Sequence, residues 1–343
     1  MIIISPSGNL YGSEQVLLEY IDSCTKPNRL FVPVNSLLEK ELKKKNCKVK
    51  AYKKIIFLYW HVFLLLLLSK QHLYLNEAGH IRYVKALAKL LPHKKFFVHI
   101  RLKEDCSPGR LHNITKNIHL ITVSEYLKSQ ISTHYPVRVI YDPYTLKNKL
   151  GAATKEDTHF SIGIVGRVTK TKGLDLLLPI LNRLSTDLNQ PIILKFFGSY
   201  APEDSWCKKF KNTLNQFPNI KSEFKGFVSS KQDIYSNINL LLHLNKVEAL
   251  GRILFEAIDY NTPYLVFNEG GCGELSKHLE LVDFLVNDNE NWVDEFVHKI
   301  ELFLENSFSY ERQLLNAKKI IKGQFDAPAY AHSIDSFFRY PTS

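Results

Sequence analysis

NINLLLHLNKVEALGRILFEAIDYNTPYLVF, residues 237–267, is the stretch from which the fold is read. NINLLLHL is an apolar run of strand length. RILFEAIDYN spaces its apolar residues as a helix does, and TPYLVF is a second apolar run behind a turn. Strand, helix and strand within about thirty residues make a βαβ unit, and such units build parallel sheets.

Working outward from this stretch, the pattern repeats. Upstream, SIGIVG, IILKFFG and IKSEFKGFV read as strands, with GLDLLLPILNRL and EDSWCKKFKNTLNQF as the helices between them. Downstream, three helical stretches close the chain. PYTLKNKLGAATKEDTH, residues 143–159, is polar, contains Gly151 and has no apolar period, so it is expected to link two domains. Before it the alternation starts again from the first residue. MIIIS, RLFVPV, KVKAY, HLYLN, KFFVHI, HLITVS and VRVIYD read as strands. GSEQVLLEYI (12–21), HIRYVKALAKLL (80–91, stopping at Pro92) and EYLKSQISTHY read as helices. The expected fold class is α/β, with two doubly wound, Rossmann-like domains facing a central cleft, where ligands are usually bound.

The chain has 343 residues, 45% of them apolar and 23% charged, which excludes a disordered polymer. Its formal charge of +11 is unevenly spread. Residues 1–150 hold 24 of the 45 Lys and Arg but only 10 of the 34 Asp and Glu. A basic first half calls for an anionic partner: a phosphorylated substrate, a membrane surface or nucleic acid. Nucleic-acid binding needs aromatics interleaved with basic residues on one surface, whereas the lysines here cluster, so no nucleic acid is expected. Cys24, Cys47, Cys106, Cys207 and Cys272 form no C-x-x-C pair and read as reduced thiols of a cytoplasmic protein. MIIISPSGN reads as an apolar strand running into a turn, so no leader sequence is expected.

Two segments carry chemistry. In KVEALGRILFEAIDY a helix is expected to start near Gly251, with its free N–H groups pointing back at the preceding loop, an arrangement that suits a phosphate. Glu248 lies on that loop and Glu256 just over one turn into the helix, so the two carboxylates meet different ends of an extended polar ligand. In GIVGRVTKTKGLDLLL a strand ends at Gly166, and Arg167 and Lys172 flank a loop expected to open into a helix at Gly173. Two cations at a strand's carboxyl end can neutralise a diphosphate. No Walker loop, no G-x-G-x-x-G after a strand and no Asp-x-Asp motif is found, so neither a metal nor a further cofactor is expected.

Together these segments resemble the retaining GT-B glycosyltransferases of family 4. EALGRILFE is similar to that family's E-G-F-G…E motif, and NTPYLVFNEGGCGEL to its G-T-P-V-V…G-G-x-x-E stretch, with Thr262, Pro263, Gly270, Gly271 and Glu274 matching. GRVTKTKG resembles its G-R-L-x-x-x-K-G loop. GNLYGSEQVLLEYI is similar to its G-G-A-E-R segment, with Gly12 and Glu14 in place, and KKFFVHIRLKED carries the family His as His99. Departures are Leu244 and Asn245 for Pro-Ser, Ile100 for the Asp after the His, and Ala249 and Leu250 after the first Glu.

The resemblance implies an N-terminal acceptor-binding domain over 1–145, joined by a returning C-terminal helix at about 325–343. A linker over 146–159 leads to a donor domain over 160–324. It implies that Arg167 and Lys172 hold the donor diphosphate and stabilise the leaving phosphate. Glu256 takes ribose hydroxyls, and Glu248 takes the sugar hydroxyls beside Ala249 and the backbone N–H groups of Leu250 and Gly251. Ile253 and Leu254 sit by the phosphates and nucleoside, Gly226 and Phe227 by the base. Gly12 lets the first loop approach the donor, and His99 reaches the sugar from the opposite domain. The implied catalytic residues are His99, Glu248, Arg167 and Lys172. The implied reaction is sugar transfer, with retention, from a nucleotide-diphosphate sugar to a saccharide acceptor in bacterial surface polysaccharide or lipopolysaccharide synthesis. The readings kept beside it are another reaction on the same fold, such as sugar-nucleotide epimerisation, and a non-enzymatic binder of anionic polymers.

On the acceptor side, KELKKKNCKVKAYKK (40–54) contains eight lysines against one glutamate, and the apolar run IIFLYWHVFLLLLL (55–68) follows it. Fourteen residues fall short of the roughly 20 that span a bilayer. Lysines beside an apolar, aromatic surface favour an anionic membrane face. A peripheral enzyme on the inner face of the cytoplasmic membrane, taking a lipid-linked acceptor, is therefore expected; a buried core helix beside a solvated basic loop is the plainer reading.

Overall fold

The computed structural model describes residues 1–24, 29–45, 47–132, 136–148, 159–187, 190–305 and 309–341. The expected linker falls largely outside these residues. The chain folds as two compact units, one of Met1–Thr145 with Gln324–Ser343 and one of Leu146–Gly323.

Unit one contains β1 (Ile2–Ile4), α1 (Gly12–Ser23), β2 (Arg29–Pro33), α2 (Leu37–Lys44), β3 (Val49–Tyr52), α3 (Ile55–Leu68) and β4 (Leu73–Leu75). It continues through α4 (Ile81–Leu90), β5 (Phe96–Ile100), α5 (Pro108–Leu111), β6 (Ile118–Thr122), α6 (Glu125–Ser129) and β7 (Val137–Val139). The sheet is all parallel, in the order β3-β2-β1-β4-β5-β6-β7, with Ile3 opposite both Leu30 and Tyr74. Strands covered on both faces must be apolar throughout, which is why MIIIS and FFVHI read as unbroken runs. The order reverses between β1 and β4, and a crevice opens at the carboxyl ends of such a pair.

Unit two contains β8 (Phe160–Val165), α7 (Leu177–Asp187), β9 (Ile192–Phe197), α8 (Ser205–Leu214), β10 (Ile220–Gly226), α9 (Lys231–Tyr235) and β11 (Leu240–His243). Then come α10 (Arg252–Asp259), β12 (Tyr264–Phe267), α11 (Gly270–His278), β13 (Leu285–Val286), α12 (Trp292–Leu304) and α13 (Glu311–Gln324). Its parallel sheet runs β10-β9-β8-β11-β12-β13, with the reversal between β8 and β11. The final helix, α14 (Ala327–Arg339), belongs to unit one. Asp326 caps it by accepting from the Ala329 N–H at 2.6 Å, and a proline sits in its first turn. Tyr330, Ile334, Phe337 and Phe338 of α14 join the core of Ile3, Val16, Leu17, Tyr20, Tyr74 and Phe97. Tyr20 also donates to Asp335 at 2.7 Å. Each such large buried side chain contributes about 1.5–3 kcal/mol.

The structure corrects several readings. The plainer reading of residues 40–54 as a solvated basic loop does not hold: residues 40–44 lie on α2, which Ser36 caps, and 49–52 pair as β3, where KVKAY was expected to form a strand. Gly173 does not open a helix. It has φ +75° between two 3-10 turns, Lys170–Lys172 and Leu174–Leu176, and α7 starts only at Leu177. EYLKSQISTHY is helical only over Glu125–Ser129, and residues 133–135 lie outside the described residues. Among the described residues after β12 there are four α-helices and a short strand where three helical stretches were expected, because the glycine-rich GGCGELSKH folds as α11.

Candidate active site

In unit two, four loops leave the carboxyl ends of neighbouring strands. Gly166, Gly198 and Gly226 stand at the ends of β8, β9 and β10 with φ of +133°, +150° and +68°. Backbone hydrogen bonds chain these ends together: the Gly166 N–H donates to the Phe197 carbonyl at 2.8 Å, and the Gly198 N–H to the Gly226 carbonyl at 2.8 Å. A Cβ on Gly198 would stand 1.9 Å from the Gly166 carbonyl oxygen. The edge is thus bare backbone in conformations that favour glycine. Exposed Arg167 emerges directly from it. Phe227 follows Gly226 and is 79% exposed, an apolar ring left in solvent at the rim.

Lys172 and Glu248 meet across the strand-order reversal, with Nζ 2.9 Å from Oε2. Gly173 makes this approach possible. It packs against the end of β11, where a Cβ would lie 2.4 Å from the Leu244 carbonyl oxygen. Glu248 Oε2 also accepts from Asn245 Nδ2 at 2.8 Å and lies 3.7 Å from His243 Nε2. Burial pushes this carboxyl up, but His243 and Lys172 outweigh it and hold it well below the usual carboxylate range. It is therefore an anion at neutral pH.

The loop carrying Glu248 is held from below by two glycines. A Cβ on Gly271 would stand 2.1 Å from the Ala249 carbonyl oxygen, and one on Gly270 (φ +63°) 2.5 Å from that of Lys246. The Gly271 N–H donates to the Glu248 carbonyl at 2.8 Å. Gly251 then caps α10 at φ +85°, with Cys272 Sγ 2.4 Å from where its Cβ would be. Leu250 and Leu254 are buried, so at those positions the backbone alone faces the loop, while Ile253 is half-buried. Glu256 Oε2 accepts from Tyr235 at 3.0 Å and pairs with Lys231 at 2.7 Å. Thr262 is buried and donates to the Tyr235 carbonyl at 3.2 Å, fixing the end of α9. Glu274 lies half-buried on α11.

Both carboxylates are thus anchored through Oε2, which leaves each Oε1 as an acceptor for a polar ligand. Unit two therefore brings Lys172 to Glu248 on the loop of Ala249, Leu250 and Gly251, at the ends of β8 and β11; Arg167 follows Gly166 at the end of β8, and Glu256 lies in α10 against Tyr235 and Lys231. Gly226 and Phe227 stand at the edge strand β10. Sequence reasoning missed Gly198, Lys231, Tyr235, His243 and Asn245 as parts of this arrangement; Asn245 registers there only as a departure from a motif.

In unit one, Gly12 is exposed in the first turn of α1, at the carboxyl end of β1. Glu14 is fully buried, and its Oε2 accepts from the Tyr11 N–H at 3.0 Å, capping that helix. His99, like Leu254, is completely buried. Its Nδ1 lies 2.8 Å from the Tyr74 hydroxyl and 3.3 Å from Arg101 Nη2, while Nε2 is enclosed without a hydrogen-bond partner. Burial, then Arg101, pushes the ring well below its ordinary pKa, so it is neutral. Arg101 in turn pairs with buried Asp142 and donates to the Asn76 carbonyl at 2.9 Å. Among the described residues no cluster of three metal-ligating side chains occurs.

Two Rossmann-like units with parallel seven- and six-stranded sheets, the second with carboxylates and cations at its strand-order reversal, define the GT-B class of fold. Residues 147–320, just over half of the chain, match the family described as glycosyl transferases group 1, and the chain belongs to that family. Anabaena Alr3699/HepE, solved in complex with UDP and glucose, superposes with a TM-score of 0.78 at 17% identity, over 98% of this chain and 99% of that one. The lipopolysaccharide outer core galactosyltransferase WaaB, in its apo form, gives 0.71 at 16% identity, over all of both chains. At these identities the likeness establishes the fold. The Bacillus subtilis (strain 168) protein YtcC is 23% identical over 253 residues, 66% of this chain and 61% of that protein. The capsular polysaccharide biosynthesis glycosyltransferase CapM of Staphylococcus aureus is 23% identical over 186 residues, 52% of this chain and 46% of that protein. The chain thus spans about half the length of the curated relatives it matches.

Proposed function

We propose that the protein transfers a sugar from a nucleotide-diphosphate sugar to a saccharide acceptor, with unit two holding the donor. The observation that carries this reading is the Lys172–Glu248 contact beside the Gly251 helix start. It joins a cation for the diphosphate, free N–H groups for a phosphate and a carboxylate for sugar hydroxyls. Breaking the sugar–phosphate bond builds negative charge on the departing diphosphate, and Arg167 and Lys172 are fixed cations that stabilise it. Glu256, held by Tyr235 and Lys231, presents Oε1 to the ribose hydroxyls, and Phe227 offers a face on which a base stacks. Ile253 lies beside the nucleoside.

His99 acts on the sugar from the other unit as a neutral ring, and Gly12 keeps the first loop free of a side chain. Transfer proceeds with retention at the anomeric carbon, by attack on the leaving-group face, and neither a metal nor another cofactor takes part. The acceptor is lipid-linked, and the product belongs to bacterial surface polysaccharide or lipopolysaccharide; the likeness to CapM and WaaB supports that setting. The enzyme works in the cytoplasm, on the inner face of the cytoplasmic membrane. UDP binding and donor hydrolysis or transfer by the wild type, Glu256→Ala and Arg167→Ala proteins test the reading. Wild-type turnover in both variants would refute the site.

A further inference from the structure

α3 is apolar on every face, yet only one face is covered. Leu58, Tyr59, Val62 and Leu66 are buried in unit one. On the opposite side Ile56 (73% exposed), Phe57 (67%), Trp60 (63%), Leu67 (52%) and Leu68 (83%) stand in solvent. At 100° per residue these five fall within an arc of about 120°, so they form one continuous stripe. An exposed apolar stripe with two large aromatics is not what solubility produces.

The charges beside the stripe are sorted. In the lysine-rich segment, Lys43, Lys44 and Lys45 are paired with Glu39, Glu41 and Asp22 at 2.5, 2.6 and 2.6 Å. Lys50, Lys53 and Lys54 have no carboxylate within ion-pair distance among the described residues, and all three are exposed. These three line a cavity of about 470 Å³ whose apolar walls include Phe31 and Phe57 and whose rim includes His61. Burial, then Lys50 and Arg29, pushes the His61 ring below its ordinary pKa, so it accepts from Lys50 Nζ at 3.1 Å. These three cations, none paired with a carboxylate, and the bare apolar stripe therefore adjoin at the start of one helix.

We propose that this surface binds an anionic phospholipid bilayer: the exposed face of α3 lies in the membrane plane among the acyl chains, and the Lys50–Lys53–Lys54 cavity seats a lipid phosphate headgroup. The helix is about 21 Å long, too short to cross a hydrocarbon core of about 30 Å, and its inner face is already used. An interfacial helix with a cationic border is the arrangement that such a length permits. The charge pattern selects the occupant: three exposed lysines without carboxylate partners border the stripe and match anionic headgroups. The inference rests on the proposed lipid-linked acceptor, and it names the surface that would hold the enzyme where such an acceptor lies.

Flotation of the whole protein with vesicles of phosphatidylcholine alone, or with one-third phosphatidylglycerol, tests it. Binding to the anionic vesicles at low salt, weakening as salt rises, is expected. Replacing Lys50, Lys53 and Lys54 together by Ala should weaken it about a hundredfold, at roughly 1 kcal/mol per basic residue. Trp60→Asp, on the exposed face, should abolish it with the melting temperature unchanged. No flotation with anionic vesicles, or undiminished flotation of either variant, overturns the proposal. So does a wild-type dimer that Trp60→Asp converts to monomer, because that assigns the stripe to a second copy. UDP binding is measured on the same preparations. If it is retained while flotation fails, the membrane surface is wrong and the donor site stands; if it is lost while flotation holds, the reverse is true.

Discussion

Lys172 Nζ and Glu248 Oε2 lie 2.9 Å apart and join the loop leaving β8 to the loop leaving β11. On the proposed reading, a cation for a phosphate is thus shared, in the free protein, with a carboxylate for a sugar. Glu248→Gln should release Lys172 and tighten UDP binding about three- to tenfold while lowering turnover. Lys172→Ala should weaken UDP and cut kcat/KM by about a hundredfold or more. Calorimetric titration with UDP, set beside initial rates, checks both. Opposite signs for the two variants in affinity are the diagnostic result.

Glu256→Ala should reduce UDP affinity about tenfold or more, because a site built to accept hydroxyl donors loses its acceptor and leaves Lys231 uncompensated. Tyr235→Phe removes only the 3.0 Å bond that orients the carboxylate, so a smaller loss of a few fold is expected. Equal losses in the two variants would mean that Glu256 acts through packing rather than contact.

The glycines under the Glu248 loop should be far less tolerant than a glycine with open space at its Cβ position, such as Gly323. Gly271→Ala places a Cβ 2.1 Å from a backbone oxygen, and Gly251→Ala adds a left-handed backbone to a contact with Cys272. Each should cost about 2–4 kcal/mol by chemical denaturation. Gly323, on α13, has nothing within 4 Å of its Cβ position, and Gly323→Ala should add about 0.5–1 kcal/mol. Similar losses at all three positions would refute the packing argument.

Acidification should destabilise unit one. Burial, then Lys95 and His72, pushes His119 down to about 4, and His99 is pushed well below its ordinary value. Above pH 6.5 both rings are neutral in the folded and the unfolded chain and contribute nothing. Below it the unfolded chain binds protons that the folded chain refuses, so stability falls from about 6.5 and, for His119, levels off near 4. The melting temperature measured across this range should fall, and His119→Gln should flatten the slope. A rise on acidification would contradict the burial of these rings.

The sheets were legible because strands buried on both faces must be continuous apolar runs, and MIIIS, FFVHI and YLVF have no other use for such composition. The loop of Glu248, Gly251 and Glu256 was legible for a different reason: a helix start with glycine and flanking carboxylates has few local meanings. What stayed hidden depended on contacts distant in sequence. Gly198 stands behind an ordinary strand, and only its closeness to Gly166 shows why it lacks a side chain. Lys231 and Tyr235 converge on Glu256 from a five-residue helix with no periodic signal. The sorting of the lysines into paired and unpaired sets rests on Asp22, more than twenty residues away from Lys45, and on the turns of α2.

The last helix completes the unit that the first residues begin. A ribosome makes β1 through β7 and then all of the second sheet before α14 emerges, while Tyr330, Ile334, Phe337 and Phe338 are core residues of the earlier unit. The half of the protein synthesised first is therefore the half finished last, and during translation its sheet waits with an uncovered apolar face. A stop codon just ahead of Ala327 would therefore damage the amino-terminal unit, not the nearer one.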